Sequence, residues 1–254
     1  MGTINLGLDK YDRETIHQLC ADDQLNGIVV GDLFCGRRMF QGGISEQIVS
    51  MEAIIQSGKS VVYQMPVYVT SRNVEEVRSV LEFLKSSAQD VKVIVHDMGM
   101  AEELKREFHD FHVIWGRLGR ARKEGHSSAF LELLSGENFY GIELTDAVKS
   151  RDFHVGNLHP CFVYGNMHYS TFGRQCMNRY QKLGCSRESC ISGEYSMKDD
   201  SSEYTMTLNG YVLGERFVYD SGMIGNFRSV PSSELMVYAR TIGEYRQMGD
   251  LHLA

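Results

Sequence analysis

Apolar positions along this chain fall into two alternating patterns. Asn26-Gly-Ile-Val-Val-Gly31 is a short continuous apolar run and predicts a buried strand, after which Ile44, Ile48, Met51 and Ile55 recur at helical spacing. Ser60-Val-Val-Tyr-Gln-Met65 predicts a second strand, closed by Pro66. Asn73 opens a helix with the stripe Val74, Val77, Leu81 and Leu84, and Glu76 stands three residues on, where a capping box wants it. Val91-Lys-Val-Ile-Val95 predicts a third strand, and Asp97 is placed to cap a helix around Ala101 to Phe108. Phe111-His-Val-Ile-Trp115, a helix over Glu124 to Leu134, and a strand over Asn138 to Leu144 continue the alternation.

Repeated strand and helix signals imply a parallel sheet with helices outside it, hence an α/β fold. A closed (β/α) barrel and an open doubly wound sheet both fit. The first strand lacks a Gly-x-Gly-x-x-Gly turn, which weakens a dinucleotide-binding reading. A single TIM-barrel-like domain over residues 1–254 is expected, irregular or incomplete because eight clean strand–helix units cannot be assigned. In such a barrel the loops after the strands form the active face. Cys35, Gln64, Met65, His96, Asp97, Arg117 and Glu143 would gather at that mouth. Beyond residue 150 the pattern changes. One or two strands are expected over His154 to Gly165, short strands over Glu203 to Gly210 and Glu215 to Tyr219, and a helix over Ser232 to Met248.

Composition narrows the class. The 254 residues are 43% hydrophobic and 23% charged, ordinary for a globular protein. A net charge of −7 disfavours a nucleic-acid coat, and RNA binding is possible only through a local patch such as Arg117-Leu-Gly-Arg-Ala-Arg-Lys123. No apolar run approaches the ~20 residues of a membrane span, and Met-Gly-Thr-Ile-Asn-Leu is no signal peptide, so a cytoplasmic location is expected.

Six cysteines in a reducing compartment point to metal binding or inert burial rather than disulfides. Cys176, Cys185 and Cys190 crowd into one polar, glycine-bearing loop at about 170–195, and Cys35 ends the upstream motif Gly31-Asp-Leu-Phe-Cys-Gly-Arg-Arg38. Three readings stay open from the spacing alone: a four-iron cluster, a zinc site without paired Cys-x2-Cys knuckles, and unliganded thiols. Cys20 lies on an amphipathic helical stretch and reads as core. Cys161, in His159-Pro-Cys-Phe-Val, reads as a buried strand residue, with a place near the site as the alternative.

An ordered set of motifs resembles the UbiU/UbiV family, often filed as collagenase-like U-32 peptidases, over roughly residues 5–225. The set comprises Gly31 to Arg38, Val95-His-Asp-Met-Gly99, Tyr140-Gly-Ile-Glu-Leu144, Tyr169-Ser-Thr-Phe-Gly-Arg-Gln-Cys176, Leu208-Asn-Gly210 and Phe217-Val-Tyr-Asp-Ser-Gly222. It is closest to the UbiV type. The resemblance implies a 4Fe–4S cluster on Cys35, Cys176, Cys185 and Cys190. It further implies a heterodimer with a UbiU-like paralogous subunit and oxygen-independent hydroxylation of a small molecule on the route to ubiquinone, with prephenate as the oxygen source. Two departures stand out: the loop between Cys176 and Cys185 is short for a UbiV protein, and the helix expected after Glu143 is truncated.

For such chemistry Arg37, Arg38, Arg117 and Arg174 are candidate carboxylate binders. His96, Asp97 and Glu143 are candidate proton carriers, with a plain helix cap as the alternative for Asp97. His168 and Tyr169 are candidate neighbours of the cluster sulfurs. A non-catalytic subunit whose cluster or zinc merely stabilises the loop is the competing reading. Neither a His-Glu-x-x-His motif nor a Gly-x-Ser-x-Gly elbow supports a peptidase.

Overall fold

A computed structural model describes residues 4–8, 13–31, 44–66, 69, 71, 73–88, 90–116, 128–144, 153–165, 194–198, 203–207, 210–213, 234–239, 242 and 246. Its elements run β1 (Ile4–Leu8), α1 (Arg13–Cys20), β2 (Gly27–Val30), α2 (Ile44–Gln56), β3 (Ser60–Gln64), α3 (Val74–Ser87), β4 (Lys92–Val95), α4 (Met98–Glu107) and β5 (His112–Trp115). They continue with α5 (Ser128–Gly136), β6 (Gly141–Leu144), β7 (His159–Gly165), β8 (Glu194–Lys198), β9 (Glu203–Thr207), β10 (Gly210–Leu213) and β11 (Glu234–Ala239).

Strands β2 to β7 form a curled parallel sheet in sequence order, and β1 and β11 close it into a ring. Closure joins the two ends of the sequence, because Ile4 pairs with Leu235 and Leu8 with Ala239, all parallel. The antiparallel sheet β8–β9–β10 is inserted between β7 and β11.

Strands β2 and β4 are buried on both faces, which is why they read as continuous apolar runs. Successive side chains nevertheless diverge. Val29, Val62, Ile94, Ile114 and Cys161 pack together inside the ring. Their strand neighbours Ile28, Val30, Val61, Tyr63, Val93, Val95, Val113, Trp115 and Ile142 join the larger core under the helices. Trp115 meets Phe130 of α5 edge-on at 5.5 Å and Phe139 at 6.0 Å. Met51 and Ile54 of α2, Val77, Val80, Leu81 and Leu84 of α3, and Ala101 and Leu104 of α4 supply the helical side of that core.

Several expectations change. The helix expected over Ser232 to Met248 begins as β11, and of the residues beyond it Ile242 and Arg246 are helical. The apolar run in Glu234-Leu-Met-Val-Tyr-Ala239 fits a buried strand as well as a helix, and the ring position between β7 and β1 decides for the strand. Strand β1 was not expected at all. The strand expected from Asn138 starts at Gly141, because Asn138 turns in the left-handed region at φ 57°. Asn73 is the N-cap of α3 but its side chain makes no capping hydrogen bond, so the capping box with Glu76 does not form. Asp97 behaves as expected, accepting from the Met100 N–H at 3.0 Å. Residues 153–158, between β6 and β7, hold no helix. The strand expected over Glu215 to Tyr219 lies outside the described residues.

Candidate functional site

Alternation along the strands carries polar side chains to the rim where the strands end. Gln64 follows Val62 by two and so shares its inward phase; His96 follows Ile94 in the same way, one residue past β4. Glu143 pairs in register with Cys161, a member of the inner cluster. Gln64, His96 and Glu143 are 1%, 7% and 0% exposed, and with Lys92 they are the buried polar or charged side chains among the described residues.

Two glycines make room for them. Gly116 directly follows β5 in the same phase as Ile114, and its N–H donates to the Val95 carbonyl at 2.8 Å, so it sits beside His96. A Cβ at Gly116 would overlap the His96 imidazole, so the ring occupies the space that a side chain on β5 would take. Gly31 ends β2 at φ 140°, a conformation that favours glycine, and a Cβ there would overlap the Gln64 carbonyl. Since Ile114 pairs with Gly141 and Trp115 with Ile142, the next step along the ladder sets Gly116 beside Glu143. His96, Gly116, Glu143 and Cys161 therefore follow one another around the ring.

Gln64 Nε2 lies 2.8 Å from His96 Nε2. The two side chains are within hydrogen-bond distance, and which of them donates follows the histidine tautomer and the amide orientation. Asp97, next along the chain, is exposed and spends its carboxylate on the α4 cap. Cys161 lies in the apolar layer, its thiol 3.8 Å from the His159 carbonyl, and Cys20 sits on the outer helix α1, 3.7 Å from the Ala53 carbonyl. Both cysteines take the packing role read for them in the sequence.

Of the residues singled out in the sequence, the structure brings Gln64, His96 and Glu143 to one rim and gives Asp97 a capping bond. Cys35, Cys176, Cys185, Cys190, Arg117, Arg37, Arg38, Arg174, His168 and Tyr169 lie outside the described residues. Among the described residues no group of three or more His, Cys, Asp or Glu side chains could hold a metal ion. No described helix is long and apolar enough to cross a membrane.

The spacing glycines Gly31 and Gly116 were missed in the sequence. Their signal was a glycine directly after an apolar strand, twice. A second polar group was also missed. At the opposite end of the ring, His112 and Tyr140 have ring centroids 4.5 Å apart, Tyr140 stacks on His159 at 4.7 Å, and Lys92 Nζ lies 5.8 Å from the Tyr140 centroid. A polar or aromatic residue opening or just preceding each of several strands was the available clue.

A solved structure described as that of the U32 peptidase Mk0906 is similar to this chain, with a TM-score of 0.53 and 13% sequence identity over 95% of this chain and 94% of that one. At that identity the likeness is one of fold. No family model and no curated protein sequence matches the chain.

Proposed function

We propose that this chain is an iron–sulfur protein of the UbiU/UbiV type, a component of an oxygen-independent hydroxylase acting on a small aromatic or quinone-precursor substrate beside a UbiU-like paralogous subunit. The observation that carries the reading is the direction of two strands. β2 and β7 run parallel in one ring, so the segments that follow them leave from the rim holding Gln64, His96 and Glu143.

Reach supports it. Around the ring β2 and β7 are three steps apart, through β1 and β11, or about 14 Å at ~4.8 Å per step. Cys35 follows Val30 by five residues and Cys176 follows Gly165 by eleven. At ~3.5 Å per residue these tethers span about 17 Å and 38 Å, enough for the four thiols to converge over the rim. The donor set, four soft thiolates, suits an iron–sulfur cluster, which when bound supplies the electron transfer that side chains lack.

The chain's own residues have separate tasks in this reading. Glu143 and His96, buried at the rim where the strands end, hold or move protons. Arg117, which follows Gly116 directly, binds a carboxylate of the oxygen donor through its planar fork. Gly31 and Gly116 keep the rim open for the Gln64 and His96 side chains.

Iron and acid-labile sulfide are measured on protein purified without oxygen, for the wild type and for Cys176→Ala and Cys185→Ala. About four of each per wild-type chain, lost in both variants along with hydroxylation, is the expected result. A variant that keeps its full iron content, or stoichiometric zinc in the wild type, would sink the ligand assignment. Loss of turnover in a folded, cluster-replete Glu143→Ala or Arg117→Ala protein would separate a catalytic subunit from a scaffold.

A further inference from the structure

The mouth of the ring has two unlike halves. Each ring strand has a last inward position, at its end or one residue past it, in phase with the inner layer that holds Val29, Val62, Ile94, Ile114 and Cys161. From β3 to β6 these positions belong to Gln64, His96, Gly116 and Glu143. On the other four strands the register assigns them. Gly165 follows Cys161 by four residues and pairs with Tyr238 of β11, Tyr238 pairs with Gly7 of β1, and Gly7 pairs with Val29, two residues before Gly31. That half is therefore three glycines and one tyrosine. The alternation of β11 agrees: Leu235 and Val237 pair with Phe162 and Tyr164 on the outer phase, which leaves Tyr238 on the inner face at the strand end.

We propose that Tyr238 is a substrate-binding residue, and that it takes the planar ring of the aromatic or quinone-precursor substrate. This role rests on the rim being the active site proposed above. A site for such a ring needs an apolar face as well as a few hydrogen-bonding groups. Gln64 and Glu143 supply only the second, and the His96 imidazole takes the space beside Gly116. Tyrosine offers a flat ring, against which another aromatic ring stacks offset or meets edge-on, together with a hydroxyl. Both strands flanking β11 carry glycine in register with it, so neither Gly7 nor Gly165 brings a side chain to that level.

Its place in the ring fits the same role. β11 is four steps from β4 in either direction, so the Tyr238 position stands across the mouth from His96. It also lies between β7 and β2, the strands whose following segments carry Cys176 and Cys35. A substrate ring held at Tyr238 would have the cysteine-bearing segments on its own side and the hydrogen-bonding residues Gln64, His96 and Glu143 on the other.

The test uses full-length protein purified without oxygen, carrying 13C-labelled tyrosine and titrated with 4-hydroxybenzoate as a minimal aromatic probe. The Tyr238 ring signals are assigned by their loss in Tyr238→Phe. They are expected to shift saturably, while those of Tyr63, in the core under the helices, stay in place. Tyr238→Phe, which keeps the ring, should bind the probe as the wild type does. Tyr238→Leu should bind it roughly 2- to 12-fold more weakly, the worth of one aromatic pair. Tyr238 signals that stay in place up to the highest soluble probe concentration would overturn the proposal, as would unchanged affinity in a folded Tyr238→Leu protein. If that variant does not fold, the wild-type titration decides alone. Iron content on the same samples keeps the two readings apart. A shifted Tyr238 in protein that takes up no cluster upholds the binding residue and fails the hydroxylase, whereas a full cluster with an unmoved Tyr238 fails the binding residue alone.

Discussion

The two ends of the barrel accommodate polar side chains in different ways. At the end where the strands begin, rings meet one another: Tyr140 is tilted against His112 and stacks on the exposed His159, with the Lys92 ammonium near the Tyr140 ring. At the end where they finish, Gln64, His96 and Glu143 are accommodated by taking side chains away, at Gly31 and Gly116. β4 contributes to both, with Lys92 at its start and His96 just past its end. The difference lies in what makes room: ring faces at one end, missing side chains at the other. Rings in contact with a cation near one face hold together through packing and cation–π attraction. At the finishing end the Gln64, His96 and Glu143 side chains fill the rim, His96 taking the space that a side chain at Gly116 would need, on the face that βα-barrels use for catalysis.

Truncation at the end where the strands begin should break this contrast most severely. Tyr140→Ala removes the central ring of the stack and the face near Lys92, and it should lower stability by about 2–4 kcal/mol in thermal or urea unfolding while leaving His96 spectroscopically unchanged. A His96 signal that moved as much as the stability did would show that the two ends are coupled.

At the finishing end, Gly116→Ala should cost about 1–3 kcal/mol, because the imidazole pinned by Gln64 has to leave its place over β5. Here the NMR signature of the Gln64–His96 bond should vanish even in protein that folds. Persistence of that bond in Gly116→Ala would mean that the close approach of ring and glycine is not required.

Asp97 separates a cap from a proton carrier. Asp97→Ala should cost about 0.5–2 kcal/mol through the lost bond to Met100, whereas Asp97→Asn, also a good cap, should keep stability. Loss of the proposed hydroxylation in a stable Asp97→Asn protein would give Asp97 the catalytic role beside its cap.

The smallest effect lies in the outer core. The Tyr63 hydroxyl is buried with no hydrogen-bond partner, and burial raises its pKa far above the usual phenol range. Tyr63→Phe should be neutral or slightly stabilising at pH 7, since the unsatisfied group disappears. The folded-state pKa is raised, so the neutral phenol's contribution is complete below about pH 10 and is lost as pH climbs above it, where only the unfolded chain ionises. Alkaline unfolding should therefore be less steep in Tyr63→Phe than in the wild type, and identical slopes would count against an un-ionised buried phenol.

Much of the frame was legible because it is local. The stripe Val77, Leu81 and Leu84 predicted α3, and Asp97 before Met98 to Glu107 predicted a cap that exists. The mouth residues Gln64, His96 and Glu143 were legible as a group, since each stands at or near a strand end. The capping box at Asn73 failed because spacing allows a side-chain bond without requiring it. β1 and β11 failed because Ile4–Leu8 is very short and the apolar run in Glu234–Ala239 fits strand and helix alike, so pairing with each other fixes them.

By itself, then, the sequence determined the alternation of strand and helix, the parallel class of the sheet that follows from it, and the strand ends on which polar residues fall. Only the tertiary structure decided closure and phase. Closure depends on hydrogen bonds between residues as distant as Ile4 and Leu235, which no local window contains. Phase is invisible in a strand apolar on both sides: Tyr63 and Gln64 are neighbours of equal burial, and ring curvature alone sends one under the helices and the other to the mouth beside His96.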